Sequence, residues 1–78
     1  MSDTAYRTSD LYYAAYLKVA GVPLLGKDRE GSRVVFLFED QGPHAMRSLK
    51  NQYFSDQARV PALSFTQALR ALKGMIYS

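Results

Sequence analysis

The chain has 78 residues, 47% of them hydrophobic and 13% aromatic, with ten basic and seven acidic side chains and a net charge of +3. It is too apolar to be a disordered chain and too short for more than one domain. With no cysteine it can form neither disulfides nor thiolate metal sites, and no apolar run approaches the roughly 20 residues that a membrane-spanning helix needs.

These bounds lead us to expect one domain over residues 1–78, with residues 1–7 an N-terminal tail or a short edge strand. Met1-Ser2-Asp3-Thr4 is polar and carries neither the basic nor the apolar region of a signal peptide. A small secreted domain relies on disulfide staples, so their absence points to the cytoplasm. A chain this short buries only about 60% of its unfolded surface, which leaves packing quality or oligomerisation to supply the rest of its stability.

Thr8-Ser9-Asp10 offers capping oxygens and an acidic first turn, and Gly21 suits a helix C-terminus, so a first helix is expected from about Ser9 to Ala20. Tyr12, Tyr13 and Tyr16 spread apolar surface around most of its circumference, so it must be covered on more than one side. Arg33 to Glu39, rich in β-branched and aromatic residues, reads as a strand. Val22 to Asp28 reads as its hairpin partner, with a turn at Glu30-Gly31. That register sets Asp28 opposite Arg33, Leu25 opposite Phe36 and Leu24 opposite Leu37. Both faces of Val34 to Phe38 are apolar, so each needs a cover. A short strand near Ala5 to Thr8 can satisfy the open edge, or a second copy can continue the sheet across a dimer.

Pro43 fits the first position of a second helix, with Asp40 or Gly42 as cap; Met46, Leu49 and Tyr53 make its apolar stripe, and His44, Arg47, Ser48 and Asn51 face away. Ser55-Asp56-Gln57-Ala58 reads as a loop. After Pro61, Phe65, Ala68, Leu69, Leu72 and Ile76 form the stripe of a third helix. The expected fold is α+β in the order αββαα, a two-stranded antiparallel hairpin packed with three helices, assembled as a homodimer.

No catalytic constellation emerges. His44, the only histidine, sits in a first helical turn, where the helix dipole disfavours its charged form. Glu39 and Asp40 are neighbours at a strand end and diverge in extended geometry. Phosphate-cradling glycine motifs are absent, and no metal, no cofactor and no enzymatic activity are expected.

Charge is uneven along the chain. Residues 1–40 hold five basic and six acidic side chains, whereas residues 41–78 hold Arg47, Lys50, Arg59, Arg70 and Lys73 against Asp56 alone. If the last two helices lie side by side, these cations form one stripe suited to the phosphates of DNA or RNA. The other reading is a protein partner or self-association, because six tyrosines are more than so small a core can bury; Tyr12, Tyr13 and Tyr16 are the candidate interface. Arg7 has no evident local role and is expected to pair with Glu39 or Asp40.

Tyr6-Arg7-Thr8-Ser9-Asp10-Leu11-Tyr12, Ala14-Ala15-Tyr16-Leu17, Val34-Val35-Phe36-Leu37-Phe38-Glu39-Asp40 and Ala68-Leu69-Arg70-Ala71-Leu72-Lys73 together resemble a family of small bacterial and phage proteins known as a domain of unknown function. The resemblance spans roughly Tyr6 to Tyr77 and rests on core pattern, so it implies a shared fold. It carries no catalytic residues. It implies a phage or mobile-element setting, in which small accessory proteins bind DNA or other proteins.

Overall fold

A computed structural model of the chain describes residues 5–55 and 59–77. The elements run β1 (Ala5–Thr8), α1 (Leu11–Val19), β2 (Leu24–Glu30), β3 (Arg33–Glu39), α2 (Pro43–Phe54) and α3 (Ala62–Ile76). The order is therefore βαββαα rather than αββαα, and the sheet has three antiparallel strands in the order β1-β3-β2. The added strand is Ala5–Thr8, which takes the open edge of β3 with Tyr6 opposite Phe38 and Arg7 opposite Leu37. The expected loop at residues 55–58 falls largely outside the described residues.

Local chemistry sets the bounds of α1. Asp10 is its N-cap, and its Oδ1 accepts hydrogen bonds from the backbone N–H groups of Tyr12 and Tyr13 at 3.0 and 3.1 Å. At the other end Gly21 adopts φ 96°, its N–H donates to the Lys18 carbonyl, and the Val22 N–H donates to the Leu17 carbonyl. This is the paired bonding of a Schellman stop, with Val22 and Leu17 both buried in the core. Tyr13, Ala14, Ala15, Tyr16 and Leu17 are all buried, as a helix apolar on most sides requires.

The hairpin differs from the expected register. Glu30 pairs with Arg33, so the turn is Gly31-Ser32, with Gly31 at the φ of 66° that a tight hairpin turn demands. Asp28 faces Val35 rather than Arg33. An irregularity between Leu24 and Gly26 places Leu24 opposite Phe38 and Gly26 opposite Leu37. Leu24 packs against the core, while Leu25 is 59% exposed. The turn, one residue later than expected, gives Phe36 to Lys27 and Leu37 to Gly26, which is why the expected Leu25–Phe36 and Leu24–Leu37 pairs do not form; the bulge then returns Leu24 to the core face.

The helices cover one face of the sheet. Val34, Phe36 and Phe38 point into that core with Leu17, Met46 and Leu72. Beyond the bulge, β2 gives the same face Lys27 and Arg29. These close the C-terminus of α3, Lys27 Nζ donating to the Met75 carbonyl and Arg29 Nη2 to the Ile76 carbonyl at 2.8 Å. Cations there satisfy carbonyls with no helical partner and oppose the helix dipole.

On the other face, Val35 and Leu37 lie in line with Arg7, Asp28 and Glu30. Arg7 reaches across β3 to ion-pair with Asp28 at 3.7 Å and with Glu30. The expected partners, Glu39 and Asp40, are not used, because the register puts Arg7 beside Leu37 and sends its side chain across the central strand. The pair lies over Val35, which is only 5% exposed although no helix covers that side.

Candidate nucleic-acid interface

Because α2 buries Met46 and packs Leu49 and Tyr53 against the core, the helical period turns His44, Arg47, Ser48, Lys50 and Asn51 outward. Aromatic packing fixes the helix in place. Tyr53 lies 5.3 Å from the ring of Tyr13 and 5.5 Å from that of Tyr16, and the Tyr16 hydroxyl donates to Gln52 Oε1 at 3.1 Å. Tyr6 meets Tyr13 edge to face, and their hydroxyls share a hydrogen bond of 3.1 Å. Burial pushes the Tyr13 phenol well above its ordinary range, reinforced by the bond to Tyr6. Burial also raises Tyr53, with repulsion from Asp10 and Tyr12 adding to it.

Between β1 and α2 runs an open groove of about 530 Å³. Its walls are Tyr6 from β1, Asp40 and Pro43 from the connection after β3, and Met46, Arg47, Lys50 and Asn51 from α2. The Asp40 carboxylate is oriented by the Gly42 N–H, which donates to it at 2.8 Å. A second recess of about 590 Å³ follows the surface of α2 itself from His44 past Arg47 and Asn51 to Phe54.

The expected cations divide into two groups. Arg47 and Lys50 stand on α2 and Arg70 and Lys73 on α3, with Arg59 exposed in the connection between them. α3 packs along α1, and α2 also rests on α1, so the outer helices share no extensive interface and the charges form two arms rather than one stripe. Among the described residues none of these five cations makes an ion pair, and neither α2 nor α3 contains an acidic side chain.

The three α1 tyrosines do not form one surface. Tyr13 and Tyr16 are 3% and 4% exposed, since the sheet, α2 and α3 enclose that side of α1, and only Tyr12 reaches solvent, at 51%. Sequence reasoning set Asn51 beside Arg47 on the outer face of the second helix but missed Tyr6 and Asp40 as neighbours of the cations. The alternation in Tyr6-Arg7-Thr8 held the signal for Tyr6, because a strand there must send Tyr6 and Arg7 to opposite faces.

Among the described residues no three His, Asp or Glu side chains converge to hold a metal ion, and no helix is long and apolar enough to cross a membrane. Residues 3–78 match a family model described as a domain of unknown function, DUF5659. The chain belongs to that family. No curated protein and no solved structure matches this DUF5659 chain.

Proposed function

We propose that this DUF5659 chain is a small, non-enzymatic accessory module of the cytoplasm that binds nucleic acid through the cationic surface of its helices. One observation carries the reading: Arg47, Lys50, Arg70 and Lys73, on helices without a single carboxylate, and Arg59 in the connection between those helices are exposed and free of ion pairs among the described residues. Unpaired cations, even in two separate groups, attract a polyanion and release its counterions on contact.

Fluorescence anisotropy with labelled single strands and duplexes tests it. Affinity should fall steeply between about 50 and 200 mM salt. For a single strand the slope of log K against log salt is about −1.4 if Arg47 and Lys50 alone touch phosphates, and about −3.5 if all five cations do. No binding at low salt overturns the reading.

A second reading, a protein contact, draws on Tyr12 and Phe54, which are 51% and 60% exposed. Phe54 packs against Tyr13 and Tyr53, so its ring is held in place at the surface. A contact of that kind is insensitive to salt, and the same titration with a protein ligand separates the two.

A further inference from the structure

The groove between β1 and α2 is not a plain cationic surface. Arg47 and Lys50 stand about one helical turn apart on its α2 rim, while Asp40 lies across from them with its carboxylate oriented by Gly42. Tyr6 and Asn51 also line the groove. A phosphate chain drawn in by the two cations is repelled by Asp40, so it stays along the Arg47–Lys50 rim. A group that complements this lining carries no negative charge, has a flat face for a tyrosine ring, and donates hydrogen bonds to a carboxylate. A nucleobase with an exocyclic amino group meets all three conditions. In a duplex that base is stacked and paired; in a single strand it can be turned outward.

Resting on the nucleic-acid reading above, we propose that this groove receives an unpaired amino-bearing base from a single strand. Arg47 and Lys50 hold the flanking phosphates, Tyr6 contacts the base plane, and Asp40 and Asn51 read its edge. A carboxylate accepts from the cytosine amino group, and an asparagine amide complements adenine.

The test is anisotropy with the intact chain on oligo-dC and oligo-dT of about 12 nucleotides, a length suited to one small domain, and on a duplex of equal length. Oligo-dC should bind at least about fivefold more tightly than oligo-dT and than the duplex, the lower end of what one good edge contact provides. Asp40→Ser keeps a hydroxyl for the Gly42 N–H, and it should erase the preference for dC without weakening dT. Tyr6→Leu should weaken both single strands and leave the duplex unchanged, with circular dichroism showing that each variant stays folded. Equal binding of dC and dT, or a preference for duplex, overturns the base pocket and leaves phosphate binding intact. No binding of any strand overturns the nucleic-acid reading itself and directs the search to protein partners.

Discussion

On the sheet side, charge is used up inside the molecule: Arg7 is held between Asp28 and Glu30, and Lys27 and Arg29 close the end of α3. On the helix side, Arg47, Lys50, Arg70 and Lys73 stand in solvent with no ion pair among the described residues. The two sides carry similar numbers of basic residues and employ them differently. Cations of β1 and β2 belong to the fold, so removing them should cost stability. Cations of α2 and α3 make no ion pair among the described residues, so under the proposed function removing them should cost binding more than stability.

The largest effect expected separates the two faces of β3. Phe36 is 1% exposed under the helices, and Phe36→Ala should remove about 3–5 kcal/mol, enough to unfold a marginal domain. Val35, on the other face, should lose only about 1.5 kcal/mol as alanine, since two carbons leave a site covered by a side chain rather than by a helix. Urea midpoints of the two variants measure the contrast. Equal losses would mean that the outer face is as firmly packed as the core.

Next comes charge reversal on α2. Arg47→Glu with Lys50→Glu should weaken single-strand binding at least about tenfold at low salt while shifting stability by no more than about 0.5 kcal/mol. A large drop in the melting temperature would show that these cations have a structural part after all.

The tyrosine cluster sets a limit in alkali. Tyr13 has its folded-state pKa raised by burial above the ordinary 10.0. Its contribution is therefore fully present below pH 10 and is lost as pH climbs, because the unfolded chain ionises there and the folded one resists. Melting temperatures should hold from neutrality to about pH 9 and fall above pH 10, with phenolate absorbance from the buried ring emerging only as the protein unfolds. Tyr13→Phe should flatten that fall.

Arg7→Ala is the smallest of the four. Its side chain and those of Asp28 and Glu30 are about half exposed, so the loss should stay below about 1 kcal/mol. A measurably lower melting temperature would support a role for the pair in covering Val35; an unchanged one would show that the aliphatic neighbours suffice.

Three helices, the central strand and its hairpin partner were legible because each rests on local signals: Asp10 and Gly21 bounding α1, Pro43 and Pro61 before α2 and α3, and the β-branched run of β3. What stayed open or escaped depends on contacts far apart in the chain. A strand at Ala5 to Thr8 was one of two ways to close the open edge, and at four residues only β3, some thirty residues later, decides for it. The turn slipped by one residue because Glu30-Gly31 and Gly31-Ser32 both offer glycine to a two-residue loop. The bulge was hidden because Leu24 and Leu25 are equally apolar, and only the demand of Lys27 and Arg29 for the carbonyls of α3 distinguishes the faces. The cations themselves were readable from charge and Asn51 beside them from the helical period, whereas their placement beside Tyr6 and Asp40 required the sheet edge and α2 to be brought together.

Whether the helix side is the working surface is decided by backbone amide shift mapping with a single-stranded oligonucleotide. Shifts are expected at Tyr6, Asp40 and the exposed residues of α2 from His44 to Asn51, with Arg7, Asp28 and Val35 unmoved. Shifts centred on the sheet face, or none at saturating oligonucleotide, would contradict it.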